Sequence, residues 1–288
     1  MRLITSPSEM RSAARIYQRG STQRTIGLVP TMGALHEGHL SLIRASRSSC
    51  DRTVATIFVN PLQFGPNEDF TRYPRTFDQD RLLLEKSGVD ILFAPSPDEM
   101  YPTPMQTLVD VPVIGARLDG ASREGHFRGV ATVVCKLFQI VQPDCAFFGQ
   151  KDAAQVAVLR AMVRDLNFDL ELVVCPTVRE ADGLAMSSRN RYLTGAERTE
   201  ALALSRSLRA VESAIAGGER SIVDLRETLI AELTRSSALR VDYAEIVNPD
   251  TLESVTELPE QALVAVAAWV GTTRLIDNAL VVVEGSRA

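Results

Sequence analysis

Two of the three histidines in this 288-residue chain, His36 and His39, lie three residues apart in Val29-Pro30-Thr31-Met32-Gly33-Ala34-Leu35-His36-Glu37-Gly38-His39. The apolar run before Pro30 reads as a strand and the residues from His36 onward as a helix. The pair therefore stands where backbone N–H groups and the helix dipole favour phosphate. Imidazoles on one helical face there can donate hydrogen bonds to phosphoryl oxygens and offset charge that develops on a transferring group. The spacing is not the i, i+4 pair of H-E-x-x-H, which disfavours zinc-protease chemistry. Taken alone, the segment also fits two surface histidines on an ordinary helix.

A second cluster, Met186-Ser187-Ser188-Arg189-Asn190-Arg191, sets small hydroxyl residues beside guanidinium groups. Such a loop can donate several hydrogen bonds to a triphosphate, or it can be a solvated basic loop. A third, Phe147-Phe148-Gly149-Gln150-Lys151-Asp152, places Lys151 directly after a buried apolar run, where an ammonium suits phosphate oxygens better than a surface role. Arg123, His126 and Arg128 either close over a ligand or form a solvated loop.

These residues need a frame, and the pattern supplies one. Ser6-Pro7-Ser8-Glu9 fits a capping box opening a helix to about Arg19. Strands are expected over Thr25–Pro30, Val54–Val59, Val89–Phe93, Cys145–Phe148 and Leu170–Cys175. Helices are expected over His36–Ser46, Phe77–Lys86, Gly129–Val141 and Ala153–Arg164. This alternation predicts an α/β, Rossmann-like, mainly parallel sheet with helices on both faces. Ligands bind such sheets beyond the carboxyl ends of the strands, where all three clusters fall. After residue 177 the texture changes. A capping box at Thr194-Gly195-Ala196-Glu197 opens a helix to about Ala216, and Ile222–Thr234 reads as another. Strands follow at Val241–Val247, Leu263–Val270 and Leu280–Val283. Residues 1–177 are therefore expected to form the nucleotide-binding domain and residues 178–288 a smaller α+β lid domain.

Composition narrows the function classes. Apolar residues make up 45% of the chain, ample for a sizeable core, and the net charge of −5 gives no electrostatic case for nucleic acid. No apolar run approaches the roughly 18 residues that span a bilayer, so no membrane is expected. The N-terminal segment turns polar too soon for a secretory signal. Cys50, Cys135, Cys145 and Cys175 are scattered without metal-site spacing. The expectation is a reduced, cytoplasmic protein.

Together, the histidine motif after the first central strand and the Ser-Ser-Arg loop after the last resemble the HIGH-type nucleotidyl transferases, which transfer AMP from ATP. Further stretches narrow this. They are Phe58-Val59-Asn60-Pro61-Leu62-Gln63-Phe64, Tyr73-Pro74-Arg75-Thr76, Gly125-His126-Phe127-Arg128-Gly129-Val130, the Gly149–Asp152 turn and Pro176–Leu193. They occur, in order, as they do in the pantothenate synthetase family, which the chain resembles from Val29 to Leu193. Gln150 departs from the glutamate that many relatives carry.

The resemblance implies condensation of pantoate with β-alanine by ATP and Mg²⁺ through a pantoyl adenylate, in a homodimer built through the larger domain. It implies that Met32, Gly33, Ala34, Leu35, His36, Glu37, Gly38 and His39 line the ATP site, with His39 the proton donor and His36 a phosphate contact. Gly149, Gln150, Lys151, Asp152, Val178, Met186, Ser187, Ser188 and Arg189 would hold adenine, ribose and phosphates. His36, His39, Lys151 and Arg189 would carry the catalysis. Gln63 and Gln155 would hold pantoate, with Gln63 also facing β-alanine, and amides that donate and accept suit a hydroxylated carboxylate. Gln155 alone fits a polar position on an amphipathic helix equally well. Asp80 would assist Mg²⁺, although Phe77-Asp78-Gln79-Asp80 also reads as a solvated helix face.

Overall fold

A computed structural model describes residues 1–19, 25–66, 68–102, 105–235 and 238–283. In chain order the larger unit runs β1 (Arg2–Ile4), α1 (Pro7–Arg19), β2 (Ile26–Val29), α2 (Glu37–Ser49), β3 (Arg52–Thr56), α3 (Phe77–Lys86) and β4 (Ile91–Phe93). Short helices α4 (Pro97–Met100) and α5 (Asp119–Ser122) precede α6 (His126–Val141), β5 (Cys145–Gly149), α7 (Ala153–Asp165) and β6 (Glu171–Cys175).

These strands form one sheet in the order β1-β4-β3-β2-β5-β6. Every pair in it is parallel, with Leu28 opposite Val54 on one side and Ala146 on the other. The strands are apolar on both faces because both are covered. Ile26, Leu28, Ala146 and Phe148 join the core under α1, α6 and α7, while Val29, Phe147 and Leu92 join a separate core under α2 and α3. Chain order reverses between β2 and β5, so their carboxyl ends flank a topological switch point. A cleft opens there because the connections leave in opposite directions.

The smaller unit contains α8 (Gly195–Ala216), α9 (Ile222–Leu233), β7 (Leu239–Val247), β8 (Gln261–Val270) and β9 (Thr273–Val282). Its three strands form an antiparallel sheet, β7-β8-β9. The expected capping box starts α8: the Thr194 N–H donates to Glu197 Oε2 at 2.8 Å, and the Glu197 N–H donates back to Thr194 Oγ1 at 3.3 Å.

Strand β8 is apolar from Ala262 to Val270 because it packs on both sides. Val264, Val266 and Ala268 face a core built with Leu204, Leu208, Leu225 and Leu229, whereas Leu263 and Ala265 join the core of the larger unit. Polar contacts reinforce this junction. Arg274 on β9 donates to Asp119 at 2.6 Å and to Asp242 at 2.7 Å, and Tyr243 Oη donates to Asp119 at 3.2 Å. Among the described residues no helix is long and apolar enough to cross a membrane.

Three local expectations need correction. Strand β1 is absent from the sequence pattern. Strand β9 begins at Thr273 rather than Leu280, because Asp277 and Asn278 are buried polar residues that mask its apolar pattern. His36 is the N-cap of α2, in extended conformation, and not a residue of its first turn.

Candidate functional site

The connections leaving β2 and β5 bring the sequence clusters together. A cavity of about 200 Å³ is lined by Met32, His36 and His39 from the first, Lys151, Asp152 and Gln155 from the second, and Gln63 from the connection after β3. Met186, Ser187, Ser188 and Arg189 close it from the segment before α8. A neighbouring cavity of about 450 Å³ shares Lys151, Asp152, Gln155, Ser187 and Arg189 and extends to Trp269 and Ile276 of the small sheet. The two form one cleft at the switch point.

The histidines are set by each other. The His36 backbone N–H donates to His39 Nδ1 at 3.3 Å, and the ring centroids lie 4.1 Å apart. An Nδ1 that accepts leaves the proton on Nε2, so His39 is a neutral Nε2–H donor. Burial, and then His36 beside it, push its pKa down to about 3. Burial and the Lys151 ammonium push His36 down to about 4, and its Nδ1 is buried without a hydrogen-bond partner. Gly38 makes room for that ring, since a Cβ there would stand 3.0 Å from it. In this geometry His39 offers a neutral hydrogen-bond donor and not an imidazolium.

Lys151 Nζ lies 3.2 Å from Asp152 Oδ1. Burial alone would raise the Asp152 carboxyl, but Lys151 holds it below the usual range. The segment carrying Lys151 is tied to the small sheet: Asn278 Nδ2 donates to the carbonyls of Gln150 and Lys151, each at 2.9 Å, and Gln150 Nε2 donates to Asn278 Oδ1 at 3.1 Å.

Gln63 sits on a single 3₁₀ turn, Pro61–Gln63, whose N-cap Asn60 is 1% exposed. Asn60 Nδ2 donates to Gln63 Oε1 at 3.0 Å, and Asn60 Oδ1 accepts from Tyr101 Oη at 2.7 Å. These bonds turn the Gln63 NH₂ group toward Met32, where Sδ, a weak acceptor, lies 3.2 Å away. The donor is thereby kept for a stronger partner. His126 supports the same turn: Nδ1 donates to the Gln63 carbonyl at 2.8 Å, and Nε2 faces Arg123 Nη1 at 2.8 Å. Burial and Arg123 push His126 down to about 4, so it is neutral. Arg123 is in turn held by Glu68, with two bonds of 2.7 Å. Arg123 and His126 thus brace the Gln63 turn and also line the larger cavity, so they are not a solvated loop, while Arg128 is exposed.

Other expected nucleotide contacts are backbone positions beside the cleft. Gly33, Ala34 and Leu35 form the backbone turn leading to His36. Gly149 ends β5, and the Val178 carbonyl accepts from the Met186 N–H at 2.9 Å. Glu37 is exposed and ion-paired with Arg44, so its side chain points away from the cleft.

Asp80 is also placed differently from both expectations. It is 2% exposed, and its oxygens accept from the amides of Ala34 and Leu35 and from Thr76 Oγ1. With both oxygens committed inside the protein, it is neither a solvated residue nor a free metal ligand. Among the described residues no group of three or more His, Cys, Asp or Glu side chains is placed to hold a metal ion. The residues present therefore do not fit a resident Mg²⁺, whereas a Mg²⁺ carried by nucleotide phosphates needs no such cage.

Sequence reasoning misses Asp69 and Tyr73. Asp69 grips Arg189 through two hydrogen bonds, and the Tyr73 hydroxyl lies 3.5 Å from Ser188 Oγ. Asp69 carries no local signal, and Tyr73 stands in the Tyr73–Thr76 stretch of the resemblance without any sign of its role, because their partners are more than a hundred residues away.

Known proteins share this fold. The family model described as pantoate-beta-alanine ligase matches residues 2–280. The pantothenate synthetase of Acidobacterium capsulatum is 58% identical, with 97% of each chain covered, and that of Thermotoga neapolitana is 55% identical, covering 97% of this chain and 99% of the relative. The crystal structure of the Thermus thermophilus pantothenate synthetase superposes with a TM-score of 0.91 at 45% identity, covering 97% of this chain and 99% of that one. A Francisella tularensis pantoate-beta-alanine ligase, solved as a complex with beta-gamma ATP and beta-alanine, superposes with a TM-score of 0.78 at 34% identity over 97% of both chains. On a family match spanning nearly the whole sequence, close full-length relatives and the same fold, the chain belongs to the pantoate–β-alanine ligase family.

Proposed function

We propose that the protein condenses pantoate with β-alanine at the expense of ATP, giving pantothenate, AMP and pyrophosphate through a pantoyl adenylate. The observation that carries this reading is the convergence of His36, His39, Lys151, Ser187, Ser188 and Arg189 on one cavity that Gln63 and Gln155 also line. Cations and neutral N–H donors there suit a triphosphate, and the two amides suit a hydroxylated carboxylate.

In the first step the pantoate carboxylate attacks the α-phosphorus of MgATP and pyrophosphate leaves. No side chain needs to become a nucleophile, so the protein acts by positioning the reactants and neutralising charge. His39 Nε2–H and Lys151 face the developing charge, Ser187, Ser188 and Arg189 hold the phosphates, and Gln63 and Gln155 orient pantoate. In the second step the β-alanine amine attacks the acyl carbon and AMP leaves. Mg²⁺ enters as part of the nucleotide substrate.

Residues 1–177 act as the binding domain and residues 178–288 as a lid that hinges near Pro176–Val178 and keeps water from the adenylate. The reading extends to a cytoplasmic homodimer. The test is product identity: purified protein should form AMP and pyrophosphate only when pantoate is present. ADP would reject adenylation, and a dinucleotide product would point instead to an adenylyltransferase acting on a phosphorylated acceptor.

A further inference from the structure

The turn between β2 and α2 is a small anion-binding concavity filled from inside the protein. Gly33 (φ 82°) and Ala34 (φ 51°) are consecutive left-handed residues, a conformation that disfavours a side chain such as that of Ala34. Backbone N–H groups that converge in this way commonly bind phosphate, and a strand–turn–helix connection at a nucleotide cleft is where a triphosphate would settle. Here the Ala34 N–H donates to Asp80 Oδ2 at 2.8 Å and the Leu35 N–H to Asp80 Oδ1 at 2.9 Å. Thr76 Oγ1 adds a third bond, to Oδ2, at 3.0 Å. Asp80 comes from the first turn of α3, outside the residues that line the cleft, and is almost wholly buried. Close packing enforces the arrangement, since a Cβ on Gly33 would stand 3.1 Å from Asp80 Oδ2.

We propose that Asp80 is a positioning residue of the adenylation site. Its carboxylate occupies the amide concavity, locks the left-handed turn that delivers His36 and His39 to the cavity, and denies that concavity to the triphosphate. The phosphates are thereby directed to the imidazole and Lys151 side. The proposal rests on the adenylating function above, and it replaces metal binding by Asp80 with an internal structural anion.

Asp80→Asn is the discriminating variant. It keeps the shape but turns an NH₂ group on a backbone N–H. The chain has only three histidines, so their imidazole NMR signals can be followed separately in nucleotide-free protein. The His36 and His39 signals should move further than those of His126, which reaches the turn only through Gln63 and Met32. In the complete reaction kcat should fall about tenfold to a hundredfold, as small misplacements of reacting groups do. The half-activating Mg²⁺ concentration should be unchanged.

Three results would overturn the proposal: all three histidines unmoved, kcat within about threefold of the parent, or activity restored by excess Mg²⁺. If Asp80→Asn does not fold, Thr76→Val removes one hydrogen bond, keeps the carboxylate and is read in the same three ways. Failure of the unmodified protein to form AMP would sink the function itself, whereas the histidine signals test Asp80 independently of turnover.

Discussion

Arg189 and Asp69 form a two-pronged ion pair, Nε to Oδ2 at 3.0 Å and Nη2 to Oδ1 at 2.9 Å, between segments 120 residues apart. Burial would raise the Asp69 carboxyl, but the guanidinium holds it below the usual range. A planar fork held on one edge leaves Nη1 free to reach a phosphate in a fixed direction. Asp69 therefore fixes the direction in which Arg189 points.

Asp69→Asn should loosen that aim and lower kcat/KM for ATP about tenfold, a loss of roughly 1.4 kcal/mol of transition-state stabilisation. Arg189→Ala should cost more. The double variant should lose little beyond Arg189→Ala alone, because both changes remove one unit. Additive losses in steady-state kinetics would show that Asp69 acts separately.

Acid should weaken the fold before any carboxylate matters. His36, His39 and His126 are depressed from 6.5 to about 4, 3 and 4. Between those values the unfolded chain binds more protons than the folded one, so stability rises with pH across the window. The contribution is complete above 6.5 and is lost as pH falls through the folded values. Thermal melts from neutral pH to about pH 5, above the carboxylate range, should show a steady drop in Tm. His126→Gln should flatten the slope. A level Tm over that interval would contradict buried neutral histidines.

Gly129 sits where α6 meets the Gln63 turn, and a Cβ there would stand 2.1 Å from the Leu62 carbonyl oxygen. Backbone cannot yield as a side-chain tip can. Gly129→Ala should cost about 1–3 kcal/mol, as overpacking does. It should also raise KM for pantoate more than KM for ATP, because the displaced residue is Gln63. Equal changes in both constants would mean that the strain spreads through the cleft.

Arg274 closes the junction between the two units on Asp119 and Asp242, with side chains 13%, 8% and 19% exposed. Arg274→Met would leave two carboxylates together and short of a cation. Stability should fall by about 3–5 kcal/mol, as when one partner of a buried pair is removed. Adding Asp119→Asn and Asp242→Asn should recover much of it. Denaturant titration checks both.

Much of this architecture is legible in the sequence, for physical reasons. Strands such as Cys145–Gly149 are continuous apolar runs because both faces are covered, and α8 announces itself through Thr194 and Glu197. Strand β1 is only three residues long with one buried side chain, too little for any period to emerge. In β9, Asp277 and Asn278 read as loop residues because their partners, Arg179 and Gln150, arrive from distant segments. The same limit applies to the site. His36, His39, Gln63, Lys151 and the Ser187–Arg189 segment carry their chemistry in their residue types. Asp69 and Asp80 matter through tertiary hydrogen bonds, to Arg189 and to the amides of Ala34 and Leu35, that no local window contains.

The carboxamide of Asn278 clasps the two backbone carbonyls on either side of the Lys151 Cα. The last strand thus acts as a gauge for the position of Lys151. Loss of β9 would therefore free the backbone that carries Lys151 and at the same time remove Ile276 from the cleft wall.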